Sequence, residues 1–160
     1  PTDVYLERTT MGVEVNVGDF FGMVPTLLLA TLTGYFLGAL PLAERISRWH
    51  GVDIFSIGTG LAGSSNVRRT VGKLPGLVVL VGDIAKGGVA VLVSEYVGVD
   101  GPWVLVPVAA VVFGHWKSIF SRFRGGDGLA ALGGATIAVF PVLGIVSVMV
   151  AMVVALGKTS

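Results

Sequence analysis

Four stretches of the chain are long and apolar, and the polar residues between them gather into short, basic, glycine-rich segments. From Phe20 to Leu42 no Asp, Glu, Lys or Arg occurs. At ~1.5 Å per helical residue that run can cross a bilayer once. The second run, Leu74 to Val99, is interrupted by Asp83, Lys86 and Glu95. Ionisable groups at membrane depth are costly unless they face protein or water, so this helix must be packed on at least one side. The third run, Trp103 to Trp116, follows Pro102 and carries a tryptophan at each end. Proline suits a helix start, and the amphipathic indole rings favour the headgroup level. The last run, Leu129 to Leu156, would be roughly 42 Å long as one helix, too long without strong tilt. Pro141 removes a backbone donor near its middle, so the pattern predicts two shorter helices. The expected fold is an all-α polytopic membrane protein of about five transmembrane or half-membrane helices. One helical domain spans 20–157, with an extracytoplasmic tail at 1–19 and a short tail at 158–160.

Composition agrees with this pattern. The chain is 53% hydrophobic and only 13% charged, far from the balance of a soluble domain. The net charge of +1 matters less than where the charges lie. Arg45, Arg48, Arg68, Arg69 and Lys73 follow the first span, and Lys117, Arg122 and Arg124 follow the third. Two crossings separate these groups, which places both on one face, and the positive-inside rule makes that face cytoplasmic in a plasma-membrane protein. The acidic tail, with Asp3, Glu7, Glu14 and Asp19 against Arg8, falls opposite. It has no basic segment followed by a short apolar core, so it does not read as a cleavable leader. With no cysteine, the chain has no disulfide, thiolate metal site or Cys nucleophile. No cofactor, resident metal or nucleic-acid partner is expected.

The segment G-T-G-L-A-G-S-S-N-V-R-R, Gly58 to Arg69, contains a G-x-G-x-x-G with an acid, Asp83, about twenty residues on. A dinucleotide turn would need a strand before it and an amphipathic helix after it. "VDIFSI" is a poor buried strand, and "SSNVRRTVGK" has only two valines to pack on a sheet. The glycines keep another meaning: Gly58, Gly60 and Gly63 allow successive N–H groups to turn inward as an anion nest. Ser64, Ser65 and Asn66 can donate or cap the following helix, and Arg68 and Arg69 add forked donors. "FRGGDG", Phe123 to Gly128, repeats the recipe on the same face with Arg124, Gly125 and Gly126. An alternative reading makes both segments ordinary turns, with arginines on lipid phosphates and Asp127 capping "GLAALGG".

Together with Asp83-Ile84-Ala85-Lys86-Gly87 and Gly114-His115, the two segments resemble, from about Gly34 to Gly157, the bacterial membrane acyltransferases that use acyl-phosphate to acylate glycerol-3-phosphate. The resemblance implies loops that bind phosphate at the cytoplasmic face, with acyl-phosphate, glycerol-3-phosphate and membrane lipids as partners. It implies transfer of the acyl group to give lysophosphatidic acid. Carried over by position, Thr59 stands at the usual serine and Ser65 at the usual threonine; with Asn66 and His115 they form the implied catalytic set. Gly58, Gly60, Gly63, Arg69, Asp83, Lys86, Arg124, Gly125, Gly126 and Asp127 form the implied phosphate- and substrate-binding set. Asp83 and Lys86, three residues apart on one helix face, can also be read as a mutually neutralising pair inside the bundle. Asp127 replaces the lysine of F-R-G-G-K-G, and Leu61, Trp116 and Ser118 replace an Asn, a Cys and a Pro. The family's H-x-x-N-I-x-R element does not occur in this sequence. A second reading therefore keeps the fold and the binding of phosphorylated lipid precursors, or of a membrane partner, without the chemistry. A transporter of broken helices is a third reading, and no inverted repeat in the sequence supports it.

Overall fold

The structure is a computed structural model that describes residues 17–157. Most of the expected amino-terminal tail and all of 158–160 lie outside the described residues. The elements are α1 (Val17–Ala39), α2 (Leu42–Trp49), α3 (Ser64–Thr70), α4 (Lys73–Tyr96), α5 (Leu105–Trp116), α6 (Leu129–Val139) and α7 (Pro141–Gly157). Single 3-10 turns at Gly101–Val104 and Ile119–Ser121 flank α5. Among the described residues there is no strand. Three helical stretches, Phe21–Trp49, Lys73–Tyr96 and Gly101–Ser121, are long and apolar enough to cross a membrane, and two shorter apolar helices follow.

Proline sets three of the boundaries. Pro102 opens the turn into α5, and Pro141 starts α7 one residue after α6 has ended, as the pattern predicts. The first span was expected to reach Leu42, but α1 stops at Ala39. Pro41 lacks a donor and pushes Leu40 out of the helical region, so the chain bends there. The residues beyond form the amphipathic α2, which buries Ala43, Glu44 and Ser47 and leaves Arg45, Arg48 and Trp49 exposed.

The bundle is built on two close helix pairs, α1 with α5 and α4 with α6. Backbone meets backbone in both. Cβ positions at Gly34 and Gly38 point into the carbonyls of Pro107 and Val111, and that at Gly114 into the carbonyl of Tyr35. Gly87 faces the Ala131 carbonyl and Gly134 that of Ile84. Small residues allow this approach, and in lipid, close packing replaces the hydrophobic drive between helices. The interior is accordingly lined by small side chains: Ala39, Val79, Val91, Val111, Ala131 and Ala135 are fully buried. Larger ones, among them Leu28, Leu32, Phe36, Leu92 and Leu143, face outward, as suits a lipid-facing surface.

A set of polar contacts gathers one end of the bundle. The Tyr35 hydroxyl donates to the Lys117 carbonyl (3.0 Å), the Ser118 hydroxyl to the Ala39 carbonyl and the Ser121 hydroxyl to Glu44. Glu44 also pairs with Arg48 at 2.7 Å. The Ala62 N–H donates to the Gly125 carbonyl at 3.0 Å, so the two glycine segments touch and share one face of the bundle.

Gly87→Ala is expected to lower stability in detergent by about 1–3 kcal/mol, because its methyl would collide with a carbonyl that belongs to a rigid helix. Gly88→Ala, whose methyl would lie 3.7 Å from the Gly134 carbonyl, should cost nothing. Thermal unfolding of the two variants checks the close α4–α6 packing.

Candidate phosphate and lipid groove

The first glycine segment is organised around Asn66. Its buried amide nitrogen donates toward the carbonyls of Ile54 (3.2 Å), Ile57 (3.1 Å) and Leu61 (3.0 Å), and its oxygen accepts the Thr59 N–H at 3.3 Å. Gly58, at φ 62°, comes so close to this amide that any side chain there would displace it. The other N–H groups of the turn are also engaged: Gly60 donates to Ile57, Leu61 to the Thr59 hydroxyl and Ala62 to Gly125. The expected anion nest is therefore not formed by 59–62, whose donors hold the turn itself. Nor does Ser64, Ser65 or Asn66 cap α3, since Gly63 occupies the N-cap position and no side chain bonds there.

What the turn does is present a wall. A groove of about 560 Å³ runs between α3 and α4 on one side and α6 and α7 on the other. Its polar lining comprises Thr59, Gly63, Ser64, Ser65, Asn66, Arg68, Arg69 and Lys73, together with Asp83, His115 and Asp127. Its apolar lining comprises Leu77, Leu80 and Ile84 of α4, Leu129 and Ala130 of α6 and Val148 of α7. The three bases and the helix-start hydroxyls suit an anion, and the leucine wall suits a hydrocarbon. Of these, Lys73 and the apolar wall were not singled out from the sequence. The wall does have a signal, because Leu77, Leu80 and Ile84 recur at one-face helical spacing.

The second segment divides between two cavities. Asp127 is exposed and lines the groove, and its Oδ1 accepts the Leu129 N–H at 3.1 Å, which satisfies a first-turn donor of α6. Asp127 is therefore not the N-cap residue of the alternative reading, since Gly128 holds that position, but it still takes up one first-turn N–H from just outside the helix. Arg124, Gly125 and Gly126 do not line the groove. They line a small cavity of about 20 Å³ beneath the α1–α2 bend, with Ser118 and Ser121. The Arg124 guanidinium stacks on the Phe55 ring at 4.3 Å. The Gly126 N–H donates to the His115 carbonyl at 3.1 Å.

Asp83 and Lys86 form a buried ion pair at 2.8 Å, and Lys86 donates further to the Leu40 carbonyl at 2.6 Å. His115 Nδ1 lies 3.7 Å from Asp83 Oδ1. Asp83 and His115 line both cavities, whereas Lys86 lines only the smaller one. Of the expected site residues, Thr59, Gly63, Ser65, Asn66, Arg69, Asp83, His115 and Asp127 meet at the groove. Gly58, Gly60, Lys86, Arg124, Gly125 and Gly126 support it from behind.

Fold and groove together define an integral membrane protein that gathers cationic donors and an apolar trough in one site. Residues 28–159 match the family model described as glycerol-3-phosphate acyltransferase. Glycerol-3-phosphate acyltransferase 1 of Deinococcus radiodurans is 41% identical over 129 residues, 81% of this chain and 65% of that protein. The glycerol-3-phosphate acyltransferase of Rubrobacter xylanophilus is 42% identical over 119 residues, 74% of this chain and 59% of its own length. The chain thus spans less than two thirds of these two relatives. It also superposes on the crystal structure of PlsY (YgiH), an integral membrane glycerol 3-phosphate acyltransferase, in its glycerol 3-phosphate form. The TM-score is 0.75 and the identity 31%, over 81% of this chain and 66% of that one. The chain belongs to the glycerol-3-phosphate acyltransferase family.

Because Asn66 shares its two N–H donors among three carbonyls and accepts one N–H, Asn66→Ala should cost about 2 kcal/mol of stability. Ser65→Ala, at an exposed position of the same helix, should stay within about 0.5 kcal/mol. Unfolding midpoints of the two variants in detergent separate a loop keystone from a groove contact.

Proposed function

We propose that this chain transfers an acyl group from acyl-phosphate to glycerol-3-phosphate, forming lysophosphatidic acid at the cytoplasmic face of the plasma membrane. The observation that carries the reading is the groove, whose lining joins three bases to an apolar wall. Both substrates carry a phosphate, and one carries a hydrocarbon tail. The PlsY structures, one described as a glycerol 3-phosphate form and one as a lysophosphatidic acid form, support the same pair of ligands.

In this reading Arg68, Arg69 and Lys73 hold the phosphates, with Thr59, Ser64 and Ser65 as neutral donors. The acyl chain lies along Leu77, Leu80 and Ile84. The acceptor hydroxyl then meets the acyl carbonyl carbon, a new C–O bond forms and the bond to phosphate breaks. The electron pair and the hydroxyl proton leave with the phosphate. Both reactants are held and the leaving group is already anionic, so orientation and charge stabilisation supply most of the acceleration. Asn66 acts by holding the turn, because its amide is committed to loop carbonyls. The second reading, binding without transfer, is favoured by Asp127, a carboxylate in the groove that forms no ion pair among the described residues.

Acyl transfer by the chain in lipid nanodiscs, supplied with acyl-phosphate and glycerol-3-phosphate, tests the choice: ester product is expected, and phosphate binding without product selects the second reading. Arg69→Ala should weaken glycerol-3-phosphate binding by about 1.5–3 kcal/mol, the scale of a charge-assisted hydrogen bond. Arg48→Ala, on α2 and outside the groove, should do far less. Equal losses would show a diffuse surface effect and refute the groove. For the topology, cysteines placed at Ser64 and Asp127 should both be labelled from the cytoplasmic side. Labelling from opposite sides overturns the orientation.

A further inference from the structure

Asp83 and His115 come from different helices, and their meeting at the groove leaves a question the phosphate-binding bases do not answer. Arg68, Arg69 and Lys73 only donate hydrogen bonds, which suits a phosphate and not the proton of a hydroxyl. The acceptor in the reaction proposed above has both groups.

We infer that Asp83 is a positioning residue that holds His115 with its proton on Nδ1, leaving Nε2 bare to accept the hydrogen bond of the acceptor's hydroxyl. The inference rests on the acyltransferase reading and deepens it.

Four observations support this arrangement. Asp83 is 1% exposed and His115 6%, so each must satisfy its polar atoms locally. Lys86 balances the carboxylate and ties it to the end of α1 through Leu40, which fixes Asp83 Oδ1 in the direction of His115 Nδ1. The separation of 3.7 Å is loose for a hydrogen bond, as such pairs commonly are before a ligand closes the site. At the opposite edge of the ring Nε2 lies against Gly126, where a Cβ would strike it, so no side chain at 126 competes for that nitrogen. The His115 carbonyl meanwhile accepts the Gly126 N–H, which locks ring and loop in one register. An imidazole with Nδ1–H directed at a carboxylate has its lone pair on Nε2. Lys86 and Asp127 are the other charged groups whose fields reach the ring.

The test uses the full chain in nanodiscs with His50→Gln, which leaves His115 as the one histidine of two. Nitrogen NMR of labelled histidine should show Nδ1 protonated and Nε2 bare. Asp83→Leu with Lys86→Met removes both charges at similar volume and so leaves no unpaired buried ion. It should release the ring toward the Nε2–H form. An Nε2–H signal in the parent, or no change in the double variant, overturns the positioning role. A ligand arm compares glycerol-3-phosphate with ethyl phosphate, which has no hydroxyl. The parent should prefer the former by roughly three- to tenfold, the scale of one hydrogen bond. The preference should vanish in the double variant and in His115→Phe with ethyl phosphate affinity kept, and persist in His115→Gln, whose amide oxygen can replace Nε2. A preference that survives His115→Phe refutes the hydroxyl contact. If the parent binds neither phosphate, the hydroxyl contact falls with the acyltransferase reading, while the NMR result still decides what Asp83 does.

Discussion

The ammonium of Lys86 is the group on which the site's arrangement depends. A buried cation is tolerated only with acceptors on several sides, and a helix end supplies them, because its last carbonyls lack partners. Pro41 stops α1 at a carbonyl, that of Leu40, which accepts both the Leu42 N–H and the ammonium of Lys86 on α4. A positive group at a helix C-terminus also meets the negative end of that helix. The second acceptor, Asp83, lies one turn away on the same helix, so the pair is local to α4. What the tertiary structure adds is direction. Once α4 is tied to the α1–α2 bend, Asp83 faces α5, and the histidine at the end of α5 carries the second glycine loop on its carbonyl.

Glycine plays two separate roles, and confusing them would misplace the site. In the helices it removes side chains so that α1 meets α5, and α4 meets α6, through their backbones. In the first loop it allows a left-handed turn tight enough to be sewn together by one asparagine. The N–H groups of 59–62 serve the turn itself, and the donors that line the groove just after it are Ser64, Ser65, Arg68, Arg69 and Lys73. The loop is a scaffold for the wall.

This distinction explains what could be read from the sequence. Long apolar runs, a proline inside the last of them and two basic segments an even number of crossings apart were enough to give the helices and the common face of the loops. The bend at Pro41 was missed because the residues up to Leu42 remain apolar, so hydropathy alone shows no boundary. The anion nest was expected because glycine spacing shows where a chain can turn, but not which acceptors its N–H groups find. Asn66, several residues downstream, took the Thr59 N–H, and Ile57, Thr59 and Gly125 took those of Gly60, Leu61 and Ala62. The approach of Asp83 to His115 was not legible either. It depends on the register between α4, α1 and α5, which is set by contacts of glycine with carbonyls and leaves no periodic trace.

The carboxylate of Asp127 stands where the resembling family has a lysine, and its setting decides how much that reversal matters. A charge acts strongly on a phosphate when both are removed from water, and weakly when solvent surrounds it. Asp127 is exposed, and one of its oxygens accepts an N–H of α6, which spreads its charge into the helix start. The bases it opposes outnumber it and lie on the other wall, beside the hydroxyls of the α3 start. The polar lining therefore keeps a cationic excess, concentrated on the α3–α4 side. A phosphate would be drawn toward Arg68, Arg69 and Lys73 and away from the second loop. In the proposed reading the residues that follow the first loop would carry the anion, and the second loop would contribute through the histidine it holds.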